Sequence, residues 1–177
     1  MKRIKRLIFR TIYYPVMLFL NIIEMINGDA YKFMSYRFFL FCGIRFSGKP
    51  NYISSDVYLD ECKLITIGAD CVVSKRVVFL THDYSLTTGL KAIGKTPQVD
   101  KMIVDKITLG NNVFVGLGST LLPGTNIGDN CIIGAGCVVK GVIPSNSVVI
   151  GNPAKVICSL SDYANKKLSN WESFNIK

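Results

Sequence analysis

The sequence predicts a mainly β fold, a three-sided parallel solenoid with an N-terminal helical segment and one projecting loop, and three observations predict it. Apolar residues recur at every sixth position along one stretch, at Leu109, Val115, Leu121, Ile127, Ile133 and Val139, and glycine follows four of them. The fourth residue after each of the first five is small or β-branched: Val113, Ser119, Thr125, Cys131 and Cys137. The phase holds from Leu109 to Val139 without an insertion, whereas an antiparallel sandwich would break it with irregular turns. Three short strands joined by tight turns make a triangular coil of about 18 residues. In such a coil the apolar side chain points to the axis, the small one fits beside it where the corner narrows, and glycine relieves the turn.

The elements follow in order along the chain. Residues 1–48 form a basic, apolar helical segment. Weaker hexads begin with Ile53 and Leu59 and continue, after a slip of two residues, with Ile67, Val73 and Phe79. The repeat domain therefore spans 49–157, with a tail over 158–177. Residues 84–106 lack the pattern and carry Gly89, Gly94, Pro97 and four lysines. A solenoid tolerates an insertion only at a corner, so this loop projects outward and is placed to cover a substrate or clasp a neighbouring subunit. Each coil leaves its apolar interior open above and below, so other elements must cover the ends.

At 177 residues the chain is one domain with a core that needs no disulfide or metal to hold it. The net charge of +9 is uneven: residues 1–49 hold nine Lys/Arg against two acids, a net +7. The rest lacks a basic stripe with interleaved aromatics, which argues against a nucleic-acid partner. The six cysteines form no C-x-x-C pair and there is one histidine, so no metal site is expected. Cys131 and Cys137 fall at the small position of the period, as core fillers. Reduced thiols and a cytoplasmic location, with room for peripheral attachment to the inner face of a membrane, are expected.

Lys2, Arg3, Lys5 and Arg6 precede an apolar run from Leu7 to Ile26 that Arg10, Pro15 and Glu24 interrupt. Only Thr11 to Ile23 is free of charge, 13 residues. A membrane-spanning helix needs about 20. A small-x-small cleavage site is missing, so the start imitates a signal peptide without being one. Two readings stay open: helices packed on the open end of the solenoid or between subunits, or a helix lying in the headgroup region of an anionic membrane.

Taken together, the hexads, Thr81-His82-Asp83-Tyr84, the break in the repeat after it, and the closing Gly151-Asn152-Pro153-Ala154-Lys155-Val156-Ile157 resemble the left-handed β-helix (hexapeptide-repeat) acyltransferases. The branch that looks most similar contains galactoside, maltose and capsular-polysaccharide O-acetyltransferases. The resemblance covers about residues 50–160. It implies a left-handed coil, a homotrimer with active sites in grooves between subunits, and acetyl-CoA-dependent O-acetylation of a sugar hydroxyl in polysaccharide or glycan synthesis. An N-acetyltransferase of serine or an amino sugar, and a non-catalytic solenoid that only binds or scaffolds, are the alternatives. A carbonic anhydrase of this fold needs three histidines, which the chain lacks.

His82 follows the hexad of Phe79, where the chain leaves the coil. Acyl transfer from a thioester to an alcohol needs a base for the hydroxyl proton, and imidazole suits that task. Asp83 is adjacent and points to the opposite face of an extended chain, so a backbone carbonyl or a carboxylate from elsewhere should orient the ring. For the donor, the resemblance implies that Phe114 packs near the pantetheine arm. Leu117 stands where some members place a serine, which leaves oxyanion stabilisation to a backbone N–H at Gly116 or Leu117. It further implies that the Ala135 backbone meets the pantetheine amides, that Lys140 and Gly141 replace a common Thr-Lys pair, and that Lys155 meets the coenzyme phosphates while Cys158 replaces a second basic residue. On the acceptor side, Asp60 matches an acidic residue that holds sugar hydroxyls, and Asn51 or Asp56 would add polar contacts.

Overall fold

The computed structural model describes residues 2–175, with side chains from Tyr13 onward apart from Tyr14, Asn170 and those beyond Trp171. The basic side chains from Lys2 to Arg10 lie outside that set. Two helices, α1 (Lys2–Ile26) and α2 (Gly28–Cys42), precede the strands. Asn27 separates them by accepting the Asp29 and Ala30 amides on its Oδ1, at 3.1 and 3.0 Å, and Gly43 ends α2 at φ 102°.

Five coils follow. The first holds β1 (Arg45–Phe46), β2 (Tyr52–Ile53) and β3 (Tyr58–Leu59), and the second β4 (Ile65–Ile67), β5 (Val72–Val73) and β6 (Val78–Phe79). A hairpin of β7 (His82–Asp83) and β8 (Ile103–Val104) then interrupts them, with α3 (Ser85–Ala92) between its strands. The third coil is β9 (Ile107–Leu109), β10 (Val113–Val115) and β11 (Thr120–Leu121), and the fourth β12 (Asn126–Ile127), β13 (Cys131–Ile133) and β14 (Val138–Val139). The last is β15 (Val142–Ile143) and β16 (Ser147–Ile150), followed by β17 (Lys155–Ser159) and α4 (Leu160–Asn175).

Successive strands visit three sheets in rotation. Sheet A is β1-β4-β9-β12-β15, sheet B is β2-β5-β10-β13-β16 with β17 antiparallel on its edge, and sheet C is β3-β6-β11-β14. We name the corners AB, BC and CA. Leu109, Val115, Leu121, Ile127, Ile133 and Val139 are all buried, and so are Val113, Ser119, Thr125, Cys131 and Cys137. Both restricted positions of the period therefore face the axis. Ile53 lies opposite Val73 and Leu59 opposite Phe79, so the first coil is two residues longer than the one from Val115 to Ile133, and a 3₁₀ turn at Cys62–Leu64 takes up the difference.

The role of the repeat's glycines differs from the expectation. Gly110, Gly116, Gly128 and Gly134 do not have positive φ; a Cβ on Gly116 would stand 2.6 Å from the Ala135 nitrogen, Gly110 and Gly128 are as tightly covered by the next coil, and Gly134 is covered at 2.9 Å by Ile150. They permit close stacking rather than relieving a turn. Two positions after these glycines stand left-handed residues, Asn112 and Asn130 at AB and Gly118 and Gly136 at BC; Asp70 and Asn146 at AB are left-handed as well. The asparagines also form a ladder, Asn112 Nδ2 to Asn130 Oδ1 at 2.9 Å and Asn130 Nδ2 to Asn146 Oδ1 at 3.1 Å.

α1 and α2 cap the first coil. Met17, Leu20, Tyr31 and Phe39 join one core with Ile44, Ile53 and Val57, and the Tyr31 hydroxyl donates to the Ile53 carbonyl at 2.6 Å. The helical segment thus packs on the open end. Two boundaries differ from the sequence reading: the first parallel strand starts at Arg45, and the tail begins inside β17, which folds back before α4; the projecting loop contains α3 and β8. Alternation and hexads do not report α3, β8 or α4, because these lie outside the repeat.

Candidate active site

His82 stands at the CA corner, at the neck of the hairpin that interrupts the coils. Because Leu59 is opposite Phe79, Asp60 of the first coil lies beside Leu80 and Thr81 of the second. Its side chain is 7% exposed, and Oδ2 engages His82 Nδ1. The same oxygen accepts the Thr81 amide at 3.2 Å and the Thr81 hydroxyl at 3.0 Å, and Thr81 Oγ1 accepts the Glu61 amide at 3.2 Å. The carboxylate is therefore held by the coil and fixes the ring through one nitrogen. Among the described residues Nε2 has no hydrogen-bonding partner, and the His82 side chain is 35% exposed. Tyr84 stands edge-on to the imidazole, with ring centroids 5.5 Å apart.

Asp83 does not touch His82. Its carboxylate accepts the Ser85 amide and hydroxyl, both at 2.8 Å, and so begins α3. Those bonds hold its pKa below the ordinary carboxylate value, with Lys140 and His82 adding smaller contributions through their charge.

The acceptor candidates separate. Asn51 lies at corner AB and Asp56 at corner BC, where its Oδ1 accepts from Ser54 Oγ at 2.7 Å and from the Arg76 amide at 3.1 Å. Only Asp60 is beside His82, and there Oδ2 is committed to the ring and to Thr81. Within one chain, Asp60 and the further acceptor candidates, Asn51 or Asp56, therefore do not come together. The sequence carried the signal for Asp60, since Leu59 and Phe79 occupy the same position of the period. Thr81 and Tyr84 were missed because neither their bonds nor their ring contacts follow from spacing.

The donor candidates lie mainly along one line. At corner BC, Leu117 stacks on Gly136, whose amide donates to the Leu117 carbonyl at 2.8 Å. The Gly116 N–H donates to the Ile133 carbonyl at 2.8 Å and is not free, which removes it as an oxyanion donor. The N–H groups of Leu117 and Ala135 have no partner among the described residues, and both residues are exposed. The turn Gly151–Ala154 continues the line, bonding β14 through Val138, and brings exposed Lys155 to its end. Phe114, exposed, lies on the outer face of sheet B in a groove of about 410 Å³ with Ile132, Leu160 and Tyr163. Lys140 and Gly141 instead follow β14 at corner CA, on the His82 side. One chain therefore presents the base and the donor line on opposite borders of sheet C. Cys158 pairs with Val148 in β17, a strand position rather than part of that line.

The model of the bacterial transferase hexapeptide family (six repeats) matches residues 106–141. The chain is 38% identical over 130 residues to Protein CapG of Staphylococcus aureus, an overlap of 72% of this chain and 73% of that protein. It is 32% identical over 115 residues to galactoside O-acetyltransferase of Escherichia coli, covering 65% of this chain and 54% of the relative. Two further curated relatives are matched over 60% and 59% of their lengths, so the chain spans about three fifths of several proteins it resembles. Among solved structures it is similar to a hexapeptide-repeat acetyltransferase of Vibrio cholerae, with TM-score 0.52, 26% identity and coverage of 66% and 61%. It is also similar to a galactoside acetyltransferase in complex with coenzyme A, with TM-score 0.51, 25% identity and coverage of 68% of each chain.

Proposed function

Because the chain belongs to the bacterial hexapeptide-repeat transferases, we propose that it is an acetyl-CoA-dependent O-acetyltransferase acting on a sugar hydroxyl of a surface polysaccharide or related glycan. The left-handed sense of the coils and a homotrimeric assembly belong to the same proposal. The observation that carries it is the His82–Asp60 pair, a fixed imidazole whose Nε2 has no partner among the described residues, at the corner where an insertion leaves the coil. The named activity of the galactoside relative supports the reading.

Asp60 holds the proton on Nδ1, which leaves the lone pair on Nε2. His82 takes the acceptor's hydroxyl proton through Nε2 as the oxygen attacks, and returns it to the departing sulfur. Acetyl-CoA supplies the acetyl group as a thioester and leaves as the free thiol. The residues at corner BC fit an extended pantetheine arm: the Leu117 and Ala135 N–H groups have no partner among the described residues, and a Cβ at Gly118 or Gly136 would meet only open space. In this reading Leu117 N–H faces the thioester oxygen, Ala135 N–H meets a pantetheine carbonyl, Phe114 flanks the arm and Lys155 meets a phosphate. Lys140 and Gly141 join the base of one copy to the donor line of the next, since their corner is His82's.

His82→Ala tests the proposal. Coenzyme A binding and oligomer mass should stay, while thiol release with a sugar acceptor falls at least about a hundredfold. Retained turnover overturns the assignment of the base. Turnover with amines but not with alcohols overturns the assignment of the acceptor.

A further inference from the structure

Helix α1 is apolar on both sides. Its inner side carries buried Met17 and Leu20, with Tyr13, Val16 and Ile23 packed against the core. Two of its polar side chains also make inward bonds: Asn21 Oδ1 accepts from Ser55, and Glu24 Oε1 accepts from the Tyr52 hydroxyl at 2.6 Å. The opposite side exposes Leu18, Phe19, Ile22, Met25 and Ile26, with Met25 88% exposed. Leu18, Ile22 and Met25 follow the i, i+4, i+7 spacing of one helical stripe. α2 likewise exposes Phe33, Met34, Leu40 and Phe41. A helix packed on a coil and facing water would carry the reverse pattern, so this outer surface is built for a medium other than water.

Charge identifies the medium. Residues 1–49 carry a net +7, and α1 begins with Lys2, Arg3, Lys5 and Arg6 and has no acid before Glu24. A second copy meeting this surface through the same elements would bring the same positive excess, and like charges oppose such contact. An anionic lipid surface is complementary to it. Arg37, exposed, falls midway between Phe33 and Phe41 at spacings of four. A cation within an apolar stripe suits a headgroup layer, where its stem stays in apolar surroundings and its head meets phosphate. No helix among the described residues is long and apolar enough to cross a bilayer.

We propose that the outer faces of α1 and α2 lie in the headgroup region of an anionic membrane while their inner faces cap the first coil. The two readings left open by the sequence, packing and interfacial attachment, then describe opposite sides of the same helices. The inference does not depend on the chemistry assigned to His82, and transfer to a soluble acceptor is a separate readout.

The test is co-sedimentation of the full chain with phosphatidylcholine vesicles, with and without phosphatidylglycerol, at low and high salt. Binding is expected only with the anionic lipid, and salt reverses it. Met25→Ser together with Phe41→Ser should weaken it by at least about tenfold, given the apolar area withdrawn. Arg37→Gln should weaken it about fivefold, the share of one basic residue near the surface. Melting temperature, light-scattering mass and acetyl transfer to a soluble sugar should not change. Three results overturn the proposal: no binding to anionic vesicles at low salt, binding undiminished in the Met25/Phe41 variant, or a loss of mass in that variant, which would assign the surface to contact between copies.

Discussion

Asp60 and His82 come from successive coils, and the pairing of Leu59 with Phe79 in sheet C brings the Asp60 carboxylate onto His82 Nδ1. The carboxylate is nearly buried and bonded twice to Thr81, so it serves the ring as a fixed partner. Under the proposed function Asp60 acts as a positioning residue.

Asp60→Asn keeps the shape but removes the anion that holds the Nδ1 proton. The expected result is a fall in kcat of about a hundredfold or more, with KM for acetyl-CoA unchanged. Initial rates over both substrates give the split. A raised KM for the sugar with kcat intact would return Asp60 to acceptor binding.

Lys155 stands exposed at the end of the corner BC line. Lys155→Ala should raise KM for acetyl-CoA by about fivefold, the scale of one exposed charge contact. With a dephospho-CoA thioester the same change should have little effect, because the contact is lost only where the phosphate is present. Equal effects on both donors would remove Lys155 from the phosphate site.

Two glycines should respond oppositely to alanine. At Gly116 the new Cβ meets the Ala135 nitrogen at 2.6 Å and the Gly134 carbonyl carbon at 2.7 Å, backbone that cannot move aside. Gly116→Ala should cost about 1–3 kcal/mol and disturb the adjacent Leu117 N–H. Gly89 lies inside α3 with nothing within 4 Å of a Cβ. Gly89→Ala should stabilise the helix by about 0.5–1 kcal/mol. Urea unfolding of both variants measures the contrast, and a neutral Gly116→Ala would contradict the close stacking of coils.

Five cysteines are buried and Cys158 is partly exposed, all as free thiols. Burial pushes the Cys42 thiol up to about 12 and the Cys62 thiol up to about 11, each from 9.0. The folded state therefore keeps them neutral after the unfolded chain has begun to ionise. Their contribution to stability is intact below about pH 9 and is lost as pH rises toward 11 and 12. The urea midpoint should fall over that interval. At pH 8 a thiol reagent should label Cys158 rapidly and the other five only on unfolding; prompt labelling of more than one thiol would contradict the packing.

Periodicity carried much of the fold in the sequence. A strand exposes alternate residues to one face, so a period of six records which side chains meet the axis, and every residue from Leu109 to Val139 assigned to the axis is buried. The single histidine and its place before a break in the period were equally legible. Periodicity also suggested a wrong reason for the glycines, because it reports facing direction and not the distance between coils.

What only the tertiary structure decided is which residues of different coils meet. That depends on register, and a long first coil, the inserted hairpin and a short last coil alter register in ways a local pattern does not encode. Register placed Asp60 on His82, dispersed Asn51 and Asp56 to other corners, and occupied the Gly116 N–H. The apolar outer face of α1 was likewise invisible beforehand: composition reports that a helix is apolar, and only packing shows which side the core has covered.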